Sequence, residues 1–375
     1  MRVLLFGTYD ATIHPRVITI AEGLRATGAE VSECNAPLGL STADKVVMLA
    51  KPWRAPALLV RLASRWAALA RAARHQPAPD VVVVGYMGHF DVHLARLMFR
   101  RTAVVLDHLV GASSTARDRR LDGGPRQALL RLIDSAALRA ADIIVVDTDE
   151  HRDALPQRHR ERAVVVPVGA SAPWYAAARP ATSPGGEAGR PLRVVFYGLY
   201  TPLQGAPVIG AALSKLAGAA VEVTMIGGGQ DEAETKLAAT ANHAVRWIDW
   251  VPADHLPALV ASHDVCLGIF GDGEKALRVV PNKVFQGAAA GCAIVTSDTA
   301  PQRRALDDAA LLVPPGNPEA LAAALLRLAE DRAELARLRR RAGRLAREQF
   351  LPGQIVTPLV NELRQASSRA VATST

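Results

Sequence analysis

The chain has 375 residues, of which 50% are hydrophobic and 21% charged, with a formal net charge of +8. Such a chain can bury a large core but exceeds what one core usually supports, so two domains are expected. Three scattered cysteines, Cys34, Cys266 and Cys292, argue against a disulfide framework or zinc spacing and for a reducing compartment, and no run of about 18 apolar residues is present to cross a bilayer.

Met1-Arg2-Val3-Leu4-Leu5-Phe6-Gly7 passes from a buried strand into a glycine turn without the regions of a secretion signal, so a cytoplasmic location is expected. Strands are predicted over residues 2–6, 81–84, 103–106, 143–146 and 163–166, with helices near 15–27 and 124–140. Val81-Val82-Val83-Val84 and Ile143-Ile144-Val145-Val146 lack polar alternation and read as strands buried on both faces. Strand-helix alternation gives βαβ units and a doubly wound parallel sheet, hence an α/β class. Residues 179–191, crowded with Pro, Gly and Ser, read as a linker.

The pattern then restarts, with strands predicted over 193–197, 222–226, 244–248, 265–269, 293–296 and 311–313. Residues 319–350 read as helical, 354–366 as a last helix, and the tail beyond as frayed. The expected domains are 1–178, a linker 179–191, a second domain 192–350, and a terminal helix with its tail at 351–375.

Open parallel sheets bind ligands outside the carboxyl ends of their strands, so the residues just past each strand are the candidates. Gly7-Thr8-Tyr9-Asp10 lacks Gly-x-Gly-x-x-Gly, which disfavours dinucleotide chemistry. Gly7 either lets a ligand approach the backbone, with His14-Pro15-Arg16 opening the next helix, or is a tight turn before a cap. Ile226-Gly227-Gly228-Gly229-Gln230 is the matching glycine loop of the second half, centred on Gly228.

The most informative stretch follows the strand near 265–269: a charged loop from Gly271 to Val280, then Pro281-Asn282-Lys283-Val284-Phe285-Gln286-Gly287-Ala288-Ala289-Ala290-Gly291. Pro at its start and Gly past its end bracket a short helix whose free N–H groups and dipole favour an anion, with Lys275, Arg278 and Lys283 near in sequence. A nucleotide phosphate fits that pattern. The competing reading is a small-residue packing seam with solvated cations.

Together with Tyr197-Gly198, Gln204-Gly205, the loop at 225–229, Trp247 to Val251, Asp298-Thr299 and residues 311–316, this stretch resembles the nucleotide-sugar domain of GT-B glycosyltransferases, and most nearly glycosyltransferase family four. The resemblance covers about residues 192–350 in ordered motifs and 1–178 more loosely. It implies two Rossmann-like domains facing an interdomain cleft, and retaining transfer from a nucleoside-diphosphate sugar as donor substrate, without a bound catalytic metal or a further cofactor. Mapped onto this chain, Gln286 stands where the family has a ribose-binding glutamate, and Arg278 stands eight residues before it, so the usual glutamate pair is missing. Gln204 likewise replaces a phosphate-binding lysine. These departures point to a variant subfamily or to a weakened donor site.

With the family's usual residues missing, the candidates are Lys275, Arg278 and Lys283 for the diphosphate, Gln286 for the ribose and Glu274, the one acid nearby, for the sugar hydroxyls, with Gly7, Gly198, Gly228, Asn282 and Val284 also expected at the nucleotide site. The resemblance places His108 near the acceptor and reacting carbon, with Asp107 as its orienter; a core histidine satisfied by backbone is the alternative. Asp147-Thr148-Asp149-Glu150-His151 reads more simply as a helix cap than as catalysis.

Residues 45–79 carry Lys45, Lys51, Arg54, Arg61, Arg65, Arg71 and Arg74 with no acid, and Leu58, Leu59, Leu62, Trp66 and Leu69 gather on one helical face. This is either a helix lying on an anionic membrane, which would make the chain peripheral, or an ordinary helix packed on the first sheet. Nucleic acid is a poorer partner, since no recognition motif accompanies the charge. The acceptor is open, lipid-linked or small. A nucleotide-sugar epimerase of the same plan and a non-catalytic sugar-nucleotide or membrane-binding protein are the alternatives to a transferase.

Overall fold

The computed structural model describes residues 1–11, 15–39, 55–109, 111–118, 124–179 and 189–372. His14, Lys45, Lys51, Arg54 and most of the expected linker lie outside them. The chain divides into two compact units, 1–167 with 352–375, and 168–351.

The first unit holds a six-stranded parallel sheet of β1 (Arg2–Gly7), β2 (Glu30–Asn35), β3 (Val81–Val84), β4 (Ala103–Asp107), β5 (Ile143–Val146) and β6 (Ala163–Val165). Their order is β2-β1-β3-β4-β5-β6, so the chain reverses direction of winding between β1 and β3. The central strands β3 and β5 are buried at every position, as their unbroken Val and Ile runs require. Strand β2 has no counterpart among the predicted elements: Glu30-Val31-Ser32-Glu33-Cys34-Asn35 is a polar edge strand without an apolar run.

The second unit holds β7 (Leu192–Tyr197), β8 (Val221–Ile226), β9 (Val245–Ile248), β10 (Val265–Leu267), β11 (Ala293–Ser297) and β12 (Ala310–Val313), ordered β12-β11-β10-β7-β8-β9 and again all parallel. Its winding reverses between β7 and β10. The helical stretch predicted over 319–350 is two helices, Pro318–Glu330 and Arg332–Gln349, broken at Asp331, whose side chain accepts from Glu334 N and caps the second.

The division between the units falls at Pro167/Val168, earlier than the expected 178, and the C-terminal helices belong to the first unit. Ile355, Val356, Leu359, Val360 and Leu363 pack into the core formed by Val3, Leu5, Val81 and Val145. Gly23 permits that packing, because a Cβ there would meet the Pro352 carbonyl oxygen at 2.2 Å.

Helix Ala55–Ala73 packs on the first sheet through Leu69 and Ala73, while Leu58 and Leu62 cluster with Leu38 and Leu59 turns outward. All three cysteines are free and buried. Among the described residues no helix is long and apolar enough to cross a membrane.

Candidate functional site

In the second unit the reversal point lies between β7 and β10, and the loops leaving both strands meet there. Tyr197 ends β7, and Gly198 follows with φ of 137°, a backbone that side chains rarely adopt. The loop 198–205 is seated on the exit of β10: Phe270 N donates to Gln204 O at 3.0 Å, and Ile269, Ala276 and Val279 form a small apolar cluster with Leu203 beneath it. The charged loop 271–280 is thus fixed to the glycine loop.

Helix Asn282–Ala289 begins after Pro281, whose extended backbone sets its entry. Every residue of it from Lys283 to Ala289 is buried. The Lys283 ammonium donates to the Gln204 side-chain oxygen and sits 3.8 Å from the centre of the Phe196 ring. A Cβ at Gly198 would stand 3.3 Å from that nitrogen, so this glycine leaves room for the cation. Burial lowers the Lys283 pKa to about 7.

One turn on, Gln286 is also buried, and its Oε1 accepts from the Tyr197 hydroxyl at 2.9 Å. Burial raises the Tyr197 pKa well above its ordinary value, so it remains a donor. Trp174 stacks on Tyr197 at 5.8 Å between ring centres. Tyr197 was marked by the motif Tyr197-Gly198, but nothing in the sequence marked Trp174 as its neighbour, since a stacked aromatic pair 23 positions apart leaves no local pattern.

The other expected donor-site residues are placed as follows. Arg278 Nη2 lies 2.7 Å from Glu274 Oε1, so these two, assigned separately to diphosphate and sugar, form one half-exposed ion pair across a turn. Lys275 precedes the short 3₁₀ turn Ala276–Arg278. Asn282 opens the helix, partly exposed, while the Val284 side chain is fully buried in the core and offers nothing to a ligand. The Gly228 carbonyl accepts from Tyr200 N at 2.9 Å, which ties the second glycine loop to the first.

In the first unit, Gly7 closes β1 with φ of 155°. Asp107 does not orient His108. It is buried against Arg16, whose Nε lies 2.9 Å from Oδ1 and 3.1 Å from Oδ2, while the same guanidinium donates to the carbonyls of Val166 and Pro167. Strand alternation sends consecutive side chains apart, so Asp107 and His108 serve different neighbourhoods.

His108 Nδ1 is buried without a partner, and its ring meets that of His89 edge-on at 5.4 Å. Burial, then the neighbouring His89, lowers the His108 pKa to about 4, so it is neutral at physiological pH. His89 Nε2 lies 3.0 Å from Asp134 Oδ1 but is not aligned as a hydrogen bond. Asp134 accepts from Ala112 N, Ser113 N and Ser113 Oγ. Burial pushes its carboxyl up, but His89 and Ser113 outweigh that and hold it well below the usual range. Thr148 caps the helix Asp149–Ala154, accepting from His151 N at 3.2 Å, and the His151 Nδ1 contacts Asp147 Oδ1.

The sequence over residues 191–331 matches the family model of the glycosyl transferases group 1. Residues 191–331 are a group 1 glycosyl transferase domain. The chain is therefore a glycosyltransferase, and its two six-stranded sheets are those of the GT-B fold. Among solved structures it is similar to sucrose-phosphate synthase from Thermosynechococcus elongatus, with a TM-score of 0.71 at 13% identity over 98% of this chain and 100% of the other. Anabaena HepE in complex with UDP-glucose gives 0.67 at 16% identity over 98% and 100%. The UDP-forming α,α-trehalose-phosphate synthase of Burkholderia xenovorans, in complex with glucose-6-phosphate, gives 0.68 at 15% identity over 97% and 100%. No curated protein sequence matches the chain.

Proposed function

We propose that this glycosyltransferase moves a sugar from a nucleoside-diphosphate sugar to an acceptor hydroxyl, with retention at the anomeric carbon and without a bound metal. The observation that carries the reading is Lys283, a buried cation held at the glycine loop between the exits of β7 and β10. Expelling a nucleoside diphosphate builds negative charge on its β-phosphate, and a fixed cation beside a helix N-terminus in a dry site is the arrangement that stabilises it.

In this reading Lys283 meets the diphosphate, aided by Lys275 and the Glu274–Arg278 pair at the rim. Gln286, its oxygen taken by Tyr197, presents its amide nitrogen to a ribose hydroxyl. The solved relatives support a UDP-linked donor as the first to try, since HepE is in complex with UDP-glucose and the trehalose-phosphate synthase is UDP-forming. The first unit takes the acceptor, with His108 nearby as a neutral hydrogen-bonding group. It meets an anionic membrane through helix Ala55–Ala73, whose exposed side carries Leu59, Val60, Arg61 and Arg71.

Thermal-shift titration with UDP, GDP, ADP and dTDP sugars tests the donor assignment. A ligand at 100 times its Kd stabilises by about 2.7 kcal/mol, a readily measured shift. Failure of all four to stabilise the chain would reject the nucleotide site. Proton NMR of the product's anomeric signal decides retention, and activity in chelator decides metal dependence.

A further inference from the structure

The loops leaving β3 and β4 of the first sheet, at the strand ends where open parallel sheets bind ligands, meet on one carboxylate. It belongs to Asp134, buried on helix Gly124–Ala140. Its Oδ1 accepts from Ala112 N at 2.8 Å, and its Oδ2 from Ser113 N and Ser113 Oγ at 3.0 and 2.6 Å. A carboxylate offers about four acceptor sites, so the β4 loop fills three and leaves room for one more partner. That partner is His89 of the β3 loop, whose Nε2 lies 3.0 Å from Oδ1.

The β3 loop is built to deliver this imidazole. Gly88 N donates to Gly85 O at 3.1 Å and closes a tight turn, in which Met87 takes φ of 57°, a left-handed backbone rare for a side chain of its size. A Cβ at Gly88 would meet Val84 Cγ1 at 2.3 Å, so only glycine completes the turn. Strain of this kind persists where surrounding contacts hold a residue in a set place.

His89 in turn meets the ring of His108 edge-on, with centres 5.4 Å apart and planes at 64°. The main chain of His108 is fixed by its N–H, which donates to Val145 O at 2.8 Å. Its ring is not held in the same way. Nδ1 is buried without a partner, and among the described residues no hydrogen bond sets the ring angle, which leaves that task to the contact with His89. With Nδ1 buried, Nε2 is the nitrogen left to meet a hydroxyl, and whether it donates or accepts depends on the tautomer.

We propose that Asp134 is a positioning residue for the acceptor: through His89 it fixes the angle and the tautomer of the His108 ring. The inference rests on the reading that the first unit takes the acceptor beside His108, and Asp134 itself touches no substrate. It makes the chain Asp134–His89–His108 one unit, so that either of the first two residues acts on the reaction only through the third.

The test is long-range proton–nitrogen NMR of the full chain labelled with ¹⁵N-histidine, the His108 signals being assigned from His108→Gln. In wild type the His108 ring should give two well-separated nitrogen signals, those of a single neutral tautomer. Asp134→Asn, which keeps the shape and one acceptor oxygen for the β4 loop, should draw the two signals toward their average. His89→Phe, which keeps a ring in place but loses the link to Asp134, should do the same, and the double variant should go no further than either. Averaged His108 signals in wild type, or unchanged signals in both variants, overturn the proposal; the wild-type spectrum decides even where a variant fails to fold. Hydrolysis of UDP-glucose, with water standing in for the acceptor, should show a lowered kcat and an unchanged donor KM in both variants, and a raised KM with unchanged kcat overturns the acceptor role. UDP binding by calorimetry should be the same in all three proteins. Absence of UDP binding in wild type beside a single His108 tautomer would instead reject the nucleotide-sugar reading and leave the ring positioning intact.

Discussion

The ammonium of Lys283 donates to the side-chain oxygen of Gln204, across 79 positions of sequence. Gln204 stands where the resembling family has a phosphate-binding lysine, so the charge absent from the glycine loop is delivered to it from the helix that opens at Asn282.

Moving that charge has a measurable consequence. Lys283→Met should lower donor turnover on the order of 10²–10³, the scale for removing one preorganised donor at a developing anion. The melting temperature should hold or rise, because replacing a buried charge by an apolar side chain of similar length removes a desolvation cost. Adding Gln204→Lys to that variant should recover part of the turnover. Steady-state kinetics with the donor identified by thermal shift measures both.

The pH dependence follows from the same residue. Its pKa is about 7 in the folded chain against an ordinary 10.5, so between those values the unfolded chain binds the extra proton. Stability of the ligand-free protein should therefore rise with pH across that window as far as this group is concerned. Affinity for a nucleoside diphosphate should move the opposite way, weakening as pH rises through about 7, and the trend should vanish in Lys283→Met. Calorimetric titration of UDP at a series of pH values checks it.

The buried pair Arg16–Asp107 predicts a stability effect rather than a direct catalytic one. Removing either partner alone, as in Asp107→Leu or Arg16→Met, leaves an uncompensated buried charge and should cost about 3–5 kcal/mol, whereas the double variant should cost far less. Urea unfolding of the three variants measures the coupling. Full additivity would mean that the pair does not act as a unit.

Gln286→Leu removes the acceptor of the buried Tyr197 hydroxyl and should destabilise by about 1–3 kcal/mol while weakening nucleotide binding. Gln286→Glu keeps an acceptor for that hydroxyl and restores the family's residue, so it should retain or tighten UDP binding. The contrast between the two, read in one titration, separates packing from recognition.

Thr148→Ala should cost about 1 kcal/mol by deleting the helix cap on His151 N, with donor binding unchanged. Thermal unfolding beside UDP titration measures both.

Much of the fold was legible in local patterns. Unbroken Val and Ile runs marked β3 and β5, and Pro281 with Gly291 marked the short helix, because backbone sterics and capping act within a few residues. The polar edge strand β2 was not legible, since its hydrogen bonds to β1 rather than its own side chains hold it. Nor was the break at Asp331, where a capping aspartate interrupts an otherwise helical composition.

Of the site, the sequence alone determined the residue types: a lysine, a glutamine and glycines in the order that a nucleotide-sugar domain uses. Tertiary structure decided which of them act together. Lys283 and Gln286 lie inside, joined to Gln204 and Tyr197, while Arg278 and Glu274 pair at the surface and Asp107 belongs to Arg16. The physical reason is that charge and helical spacing are properties of a segment, whereas burial and partnership depend on which distant loops each sheet brings together within its own unit.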